Sequence, residues 1–434
     1  MTGPGGVSGA AARIVDAPRP SAYGRPVSRA DDRGIPVTET IGVVGAGTMG
    51  AGIAQVALEA GHPVRLFDPD PSAIDRARTA IASRLQRRAT KRGVPQPDPK
   101  RTAEESLNRL FVASSAGAMA GDSAMIIEAA IEDITVKRDL FRTLDAEAPP
   151  SAILATNTSA LRVAEIAAAT ARPDRVIGLH FFNPAPVMRL VEVVAPGSAS
   201  EDVVARATAT MRAWGKTPVR SADAPGFIVN RVNRPFTIEA LRLVEGAEAT
   251  VSEIDEAIRA AGFPMGPFEL MDLVGIDVNL AAAQGVWEGL GRAERIRPSP
   301  IQERLVAEHR LGRKTGSGFY SYGPAGERRE PMALPETGDI DSGARVPRAS
   351  ATPDAIVERI VLAIVNEAYA AVGEGVASSA DVDLALRLGA GHPVGPFERV
   401  ETLGGPGVVR REMEKLALSV GPRFRPVPRL EPEE

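Results

Sequence analysis

The chain has 434 residues, of which 44% are hydrophobic and 24% are charged, as in globular proteins with sizeable apolar cores. This length predicts about two to four domains. Lysine and arginine number 51 and the acidic residues 55, so the formal charge of −4 argues against a nucleic-acid partner. The absence of cysteine and the wide spacing of the four histidines predict no disulfide and no metal site. No apolar run could span a bilayer, so we expect no membrane partner and a cytoplasmic location.

Segments rich in glycine and proline divide the chain into domains. Residues 1–37 lack apolar periodicity and predict a disordered leader, 323–351 predict an interdomain linker, and 421–434 predict a loose tail. Three regions with regular apolar patterns remain, which we interpret as domains: 38–222, 223–322 and 352–420.

The first domain opens with a strand, a glycine-rich turn and a helix. The run Ile41–Val44 is followed by the pattern G-x-G-x-x-G and then by apolar residues at helical spacing. Gly45 permits a tight turn, Gly47 lets backbone N–H groups approach a pyrophosphate, and Gly50 lets the helix pack closely on the strand. A second apolar strand ends in Asp68, about 20 residues further on, where an acid binds the adenosine ribose. Together these features predict a dinucleotide site.

The same acid selects the cofactor. The carboxylate of Asp68 can accept hydrogen bonds from both ribose hydroxyls, but it would repel a 2′-phosphate. The following residues, Pro69, Asp70 and Pro71, offer no arginine to receive that phosphate. We therefore expect NAD rather than NADP.

Strands and helices alternate over about 150 residues, which predicts an α/β domain with a mostly parallel, doubly wound sheet. One long helix, from Pro71 to Arg92, is rich in arginine. Most of these arginines are interpreted as a solvated face. The functional alternative is a basic surface for a phosphorylated substrate tail such as that of coenzyme A.

A histidine and a glutamate on neighbouring apolar runs suggest catalysis. His180 ends a strand that begins at Val176, and ligands in doubly wound folds bind at the carboxyl ends of strands. Glu192 lies within the next apolar run, where a buried charge needs a partner. A buried His–Glu pair is an arrangement that orients a general base.

Six motifs in order along the chain resemble the L-3-hydroxyacyl-CoA dehydrogenase family, most closely its bacterial 3-hydroxybutyryl-CoA and 3-hydroxyadipyl-CoA type with a duplicated C-terminal domain. The motifs are Gly45–Gly50, Thr156–Ser159, His180–Met188, Pro225–Arg231, Met265–Leu270 and Lys314–Tyr320. The resemblance implies a Rossmann-type domain followed by two all-α domains similar to those of 6-phosphogluconate dehydrogenase.

The resemblance also implies an activity and a set of site residues. It implies NAD-dependent oxidation of an L-3-hydroxyacyl-CoA to the 3-oxoacyl-CoA, with a short acyl group such as 3-hydroxybutyryl; 3-hydroxyadipyl-CoA is the alternative. His180 would be the general base and Glu192 its orienting partner, while Ser159 and Asn230 would hold substrate oxygens. Lys91 would contact CoA. The implied cofactor contacts are Gly45, Gly47, Thr48, Met49, Gly50, Asp68, Glu132, Lys137, Ser159, Asn183 and Lys314.

The helical part of the chain contains a repeat. Glu239–Ala240 recurs as Glu367–Ala368, and the Gly-Pro-Phe-Glu motif at Gly266 recurs at Gly395, with an offset that changes from 128 to 129 residues. Asn230 falls on a glutamate in the second copy, so we expect that copy to be degenerate. We predict that it docks on the first copy within one chain and imitates the dimer of single-copy relatives. A homo-oligomer is a further expectation.

Two other functions are consistent with these patterns. One is a related dehydrogenase that acts on a 3-hydroxy acid without CoA, such as L-gulonate. The other is a catalytically silent NAD-binding protein, which the presence of all four active-site matches argues against. Fatty acid β-oxidation is the expected pathway, with polyester turnover and aromatic-acid degradation as alternatives.

Overall fold

The computed structural model describes residues 34–36, 38–91, 99–334 and 350–430. The predicted leader up to residue 33, most of the predicted linker and the last four residues lie outside these ranges. Within them the chain forms one large sheet with helices, followed by two helical domains.

Eight strands form the sheet, in the order β3-β2-β1-β4-β5-β6-β7-β8. Only the β6–β7 pair is antiparallel, so the predicted doubly wound, mostly parallel α/β sheet is confirmed. The order reverses between β1 and β4, which is where folds of this kind bind ligands. The strands are β1 (Thr40–Val44), β2 (Val64–Phe67), β3 (Leu110–Val112), β4 (Ser123–Glu128), β5 (Ile153–Thr156), β6 (Val176–Phe181), β7 (Leu190–Ala195) and β8 (Thr217–Ala222).

The edge strand β8 was missed by the sequence analysis, because Pro218 and Arg220 obscure its apolar alternation. Proline lacks a backbone donor and is therefore tolerated at the edge of a sheet. Helices cover the sheet, and their bounds are α1 (Thr48–Glu59), α2 (Pro71–Lys91), α3 (Pro99–Leu107), α4 (Ala116–Ala120), α5 (Ile134–Glu147), α6 (Val163–Ala167) and α7 (Glu201–Ala213).

Residues 34–36 belong to this domain and not to the predicted leader. Ile35 is buried, and its backbone N–H donates to the hydroxyl of Thr210 on α7 at 2.8 Å. The boundary predicted at residue 38 is therefore a few residues too late.

The first helical domain comprises α8 (Val229–Val232), α9 (Arg234–Glu245), α10 (Val251–Ala260), α11 (Pro267–Val274), α12 (Ile276–Gly289) and α13 (Pro300–Ala307). The apolar periodicity at 228–244 and at 267–283 predicts two continuous helices, but each is broken in two. Pro235 interrupts the first because it lacks the N–H for a helical bond. Gly275 interrupts the second, with a φ of 106° that L side chains rarely adopt.

The first residues of the predicted linker are structured. β9 (Tyr320–Tyr322) pairs with β10 (Arg328–Pro331) as an antiparallel hairpin. The predicted linker therefore begins too early, because its glycines and prolines form the turn of this hairpin rather than an extended connection.

The second helical domain repeats the first in detail. Its helices are α14 (Pro353–Gly373), α15 (Ser379–Gly389), α16 (Pro396–Thr402) and α17 (Pro406–Ser419). In the first copy the carboxylate of Asp255 accepts bonds from the N–H groups of Phe268 and Glu269 at the start of α11. In the second copy Asp383 binds the start of α16 in the same way. The same buried acid thus fixes the same helix start in both copies.

The two copies dock on each other through a shared apolar core and a pair of reciprocal ion pairs. Apolar residues of α14, including Ile356 and Ile360, pack in one cluster with those of α9 and α10. Arg231 of the first copy binds Glu367 of the second at 2.8 Å, and Arg359 of the second binds Glu239 of the first at 3.1 Å. The repeat offset relates Arg231 to Arg359 and Glu239 to Glu367. Exchanging the two copies therefore turns one ion pair into the other, as at the interface of a twofold dimer. The predicted intrachain docking is confirmed.

The predicted loose tail is wrong for residues 421–430. Phe424 and Leu430 are buried, and the side chain of Asn366 on α14 bonds the backbone of the segment at Arg425 and Val427. Arg423 forms an ion pair with Glu239 at 2.8 Å. The prolines make this segment irregular, but these contacts fix it on the helical core.

Candidate active site

The glycine turn leaves room for an anionic ligand at the start of α1. Gly45 has a φ of 95°, and a Cβ on Gly50 would lie only 1.9 Å from the carbonyl oxygen of Gly45. A Cβ on Gly47, by contrast, would meet no atom within 4 Å, so space is open beside this residue. The helix begins at Thr48 and Met49 without a side-chain cap and without an acid in its first turn. Its free N–H groups and dipole therefore suit the pyrophosphate of NAD.

Asp68 stands at the end of β2, beside this turn. One of its oxygens accepts the N–H of Ala46 at 2.7 Å, and the other accepts the N–H of Asp70 at 2.9 Å. The contact with Ala46 ties the acid to the glycine turn. Each carboxylate oxygen has two lone pairs, so both can still accept a ribose hydroxyl.

His180 on β6 and Glu192 on the neighbouring strand β7 form the predicted pair. The two residues are directly opposite in the antiparallel register, and Nδ1 of His180 lies 2.6 Å from Oε2 of Glu192. The glutamate is fully buried and the histidine nearly so. The rings of Phe182 and Phe227 flank the imidazole, with centroid distances of 4.6 and 5.8 Å. Because Nδ1 faces the carboxylate, Nε2 is the ring nitrogen left for a substrate.

The same glutamate connects the sheet to the helical domain. Its second oxygen accepts the N–H groups of Ile228 and Val229 at 3.1 and 2.8 Å, at the start of α8. α8 carries Asn230, whose Nδ2 donates to the carbonyl oxygen of Ser159 at 3.2 Å. Ser159, Asn230 and the His180–Glu192 pair are thus linked in one bonded chain that joins the two domains.

Glu132 and Lys137 support the loop that carries Ser159. One Glu132 oxygen accepts the hydroxyl of Thr158 at 2.6 Å and the N–H of Ser159 at 2.9 Å. Burial alone would raise the pKa of Glu132, but the charge of Lys137 and these hydrogen bonds outweigh it and lower that pKa. Lys137 is itself buried between Glu132 and Glu128, at 3.3 and 2.5 Å. Its ammonium group therefore positions Glu132 in this structure.

A basic cavity of about 750 Å³ lies between α1, α2 and the loop after β6. Its lining residues are Thr48, Gln55, Arg84, Arg87, Arg88 and the segment 183–187, which includes Asn183. Among the described residues Arg84 and Arg87 form no ion pair, whereas Arg88 binds Glu59 at 2.5 Å. Lys91 ends α2, and its side chain lies outside the described part of the structure.

Lys216 binds the loop after β6 that lines this cavity. Its ammonium group donates to the carbonyl oxygens of Ala185 and Met188, the latter at 2.8 Å. Burial, followed by the charge of Arg88, lowers the pKa of Lys216 to about 8. Lys216 therefore fixes the loop that follows the predicted base.

Lys314 lies in the helical domain, where its ammonium group binds both oxygens of Asp277 at 2.6 and 2.7 Å. Of the predicted residues, the structure thus gathers the glycine turn with Asp68 and gathers Ser159 with His180, Glu192, Asn230, Glu132 and Lys137. It places Asn183 at the cavity and Lys314 beside the start of α12.

Sequence reasoning missed several charged residues that support the site: Glu128, Lys216 and Arg231. A signal existed for Glu128, because it ends the apolar strand β4 as a charge that needs a partner, as Glu192 does in β7. No comparable signal marked Lys216, whose partners are backbone carbonyls 28 to 31 residues away.

Within the described ranges, no helix could span a bilayer.

A doubly wound sheet with an open glycine turn, an acid at the end of the second strand and a buried His–Glu pair is the arrangement of an NAD-dependent dehydrogenase. Comparison with known proteins agrees. The NAD-binding domain of 3-hydroxyacyl-CoA dehydrogenase matches residues 40–224, and the C-terminal domain of that enzyme matches twice, at 226–322 and 356–431. The chain belongs to the 3-hydroxyacyl-CoA dehydrogenase family and is an NAD-dependent oxidoreductase of that type.

Individual relatives extend this result along most of the chain. The chain is 37% identical to 3-hydroxyadipyl-CoA dehydrogenase of Escherichia coli (strain K12), over 89% of its own length and 96% of the relative. It is 41% identical to the mitochondrial hydroxyacyl-coenzyme A dehydrogenase of Sus scrofa, over 64% of this chain and 90% of that one. The crystal structure of 3-hydroxybutyryl-CoA dehydrogenase from Escherichia coli K12 superposes with a TM-score of 0.80 and 36% identity, covering 91% of this chain and 97% of that structure.

Proposed function

We propose that His180 is the general base in the oxidation of a short-chain L-3-hydroxyacyl-CoA to the 3-oxoacyl-CoA. The observation that carries the proposal is the 2.6 Å contact between His180 and the buried Glu192. That contact leaves Nε2 of His180 to take the proton of the 3-hydroxyl group, and the carboxylate then stabilises the imidazolium. The chemistry that bound NAD supplies is hydride acceptance from C3.

Ser159 and Asn230 would hold the oxygen on C3 as it becomes a carbonyl. Both lie on segments that Glu132 and Glu192 fix through backbone N–H groups, so their side chains need little reorganisation during the reaction. Glu132 and Lys137 would act by positioning Ser159 next to the nicotinamide. Asn183 and Lys314 stay predictions as cofactor contacts.

The CoA moiety would occupy the basic cavity beside α2. Arg84 and Arg87 line both this cavity and an open groove of about 570 Å³ that continues along the helix. Two guanidinium groups that have no acidic partner within the described ranges suit the phosphates of CoA. This favours a CoA thioester over a free hydroxy acid such as L-gulonate.

Two acyl groups are candidates, 3-hydroxybutyryl and 3-hydroxyadipyl, which are the substrates in the names of two similar enzymes. The first would place the protein in fatty acid β-oxidation or polyester turnover, and the second in aromatic-acid degradation. A cytoplasmic location and a homo-oligomer also stay predictions.

The test is an assay of the purified full chain with NADH and two matched substrates, acetoacetyl-CoA and free acetoacetate. We expect NADH consumption with the thioester and a much lower rate with the free acid. Comparable rates with both would argue for an enzyme that does not use CoA. No turnover of any 3-oxoacyl-CoA would favour the silent NAD-binding protein.

A further inference from the structure

Arg234 is a buried cation without an acidic partner. Three arginines are buried among the described residues: Arg231, Arg234 and Arg359. Arg231 and Arg359 each bind two carboxylates within 3.1 Å, but no ion pair with Arg234 is found in the described ranges. Burial lowers the pKa of the Arg234 guanidinium to about 10, so it still carries its charge at neutral pH. A buried charge of this kind is costly unless an anion compensates it.

The position of Arg234 relates it to the proposed active site. It is the first residue of α9, and its Nε donates to the backbone oxygen of Asn230 at 3.2 Å, so the side chain folds back toward α8. Asn230 in turn bonds Ser159 of the sheet domain. The guanidinium is therefore bonded to the backbone of the residue whose side-chain amide is proposed to hold the substrate.

The local backbone adds to the need for an anion. α9 has no side-chain cap and no acid in its first turn, so the positive end of the helix dipole and the Arg234 charge lie together. Enclosed side-chain nitrogens without a partner include Nη2 of Arg231 but neither Nη of Arg234. Since these Nη atoms have no partner among the described residues and are not completely enclosed, a small part of the guanidinium surface stays open to a ligand.

We propose that Arg234 binds the terminal carboxylate of a dicarboxylyl substrate, so that the enzyme prefers a 3-hydroxydicarboxylyl-CoA to a monocarboxylyl-CoA of the same length. This inference rests on the proposed function. In 3-hydroxyadipyl-CoA the terminal carboxylate lies three carbon–carbon bonds beyond the reacting C3. The guanidinium of Arg234, which is bonded to the backbone of Asn230, suits that carboxylate. A terminal methyl group would leave the charge of Arg234 uncompensated.

The experiment compares kcat/KM of the full chain, with NADH, for 3-oxoadipyl-CoA and 3-oxohexanoyl-CoA. These substrates have equal length and differ in a carboxylate or a methyl group at the end. We expect the unaltered enzyme to prefer 3-oxoadipyl-CoA by at least about tenfold. R234M should reduce this preference by about ten- to a hundredfold, the usual range for a hydrogen bond to a charged group, and R234K should restore part of it.

R242M is the matched control, because it removes another arginine of α9 that already binds Glu239. Any loss of activity in this variant should affect both substrates equally. An unaltered enzyme without preference, or an R234M enzyme that slows equally with both substrates, would overturn the inference. If R234M does not fold, the preference of the unaltered enzyme and the R234K ratio decide. No turnover of either substrate by the unaltered enzyme would instead refute the proposed function itself.

Discussion

At the scale of single residues, Glu192 combines two roles that are often separate. One oxygen binds the imidazole of His180, and the other binds the first N–H groups of α8. The charge that would stabilise the imidazolium therefore also fixes the helix that carries Asn230. A change at this position must affect both proton transfer and the geometry between the domains.

H180Q should lower kcat by at least about a hundredfold, the low end of what a positioned general base contributes. The glycine turn and Asp68 lie on other strands, so NADH affinity should be retained, as fluorescence titration would measure. Turnover close to that of the parent enzyme would remove His180 from the mechanism.

E192Q should also be slow, and its pH–rate profile should differ from that of the parent. The neutral amide can still accept the N–H groups at α8, but it does not stabilise a protonated imidazole. The acidic limb of the profile for alcohol oxidation should therefore move to lower pH. A lower rate with an unchanged profile would indicate that Glu192 acts only on the position of α8.

Asp68 should make the enzyme selective for NADH over NADPH, because its carboxylate would face the 2′-phosphate without a neighbouring cation. D68S should raise kcat/KM with NADPH relative to NADH, as measured with acetoacetyl-CoA. The serine hydroxyl carries no charge and would not repel the 2′-phosphate. Equal use of both cofactors by the unaltered enzyme would contradict this interpretation of Asp68.

At the scale of elements, a buried histidine joins the second helical domain to the α8–α9 junction. Nε2 of His392 lies 2.7 Å from Oδ1 of Asn233, and the ring packs edge-on against Phe263 at 5.0 Å. Burial, followed by the charge of Arg399, lowers the pKa of His392 to about 3. The folded state therefore favours the neutral form of this histidine.

The stability that depends on neutral His392 should be complete above pH 6.5 and should be lost as the pH falls toward 3, because the unfolded chain then binds a proton that the folded chain excludes. The loss should be at most about 1.4 kcal/mol per pH unit. Urea unfolding of the parent and of H392Q at pH 6.5 and 5 would measure it. The other buried groups are common to both proteins, so equal pH slopes would show that His392 does not contribute.

At the scale of the whole molecule, the two helical copies form an interface within one chain. The reciprocal pairs Arg231–Glu367 and Arg359–Glu239 lie within an apolar cluster shared by the two helical copies. Glu239 also receives Arg423 from the terminal segment. Since Arg231 follows Asn230 directly, the second copy supports the first-copy segment that carries the proposed substrate contact.

Truncation near Gly343 should uncover this interface and leave the buried charges of Arg231 and Glu239 without partners from the second copy. Soluble proteins rarely expose a large apolar patch, so the product should aggregate or form a new dimer through that surface. Light scattering with size-exclusion chromatography would distinguish these outcomes, and a chain ending at Leu430 provides the control. A truncated protein that stays monomeric, soluble and active would contradict this role of the second copy.

The sequence by itself determined the features that depend on local patterns. Short apolar runs marked strands β1, β2, β6 and β7, and the glycine fingerprint with Asp68 indicated the dinucleotide site. His180 and Glu192 could be paired in advance because a charge in a buried strand needs a partner on an adjacent one. The repeat was visible as recurring motifs at a nearly constant offset.

The tertiary structure decided what depends on contacts between distant residues. The apolar pattern does not show that Lys216 binds the loop at Ala185, that Arg423 reaches Glu239, or that residues 421–430 pack on the helical core. Nor could it show that Arg231 has carboxylate partners whereas Arg234 has none among the described residues, since both arginines occur in one short segment of sequence. Periodicity records which face of an element is apolar, whereas the partner of a buried charge is set by packing between elements far apart in the chain.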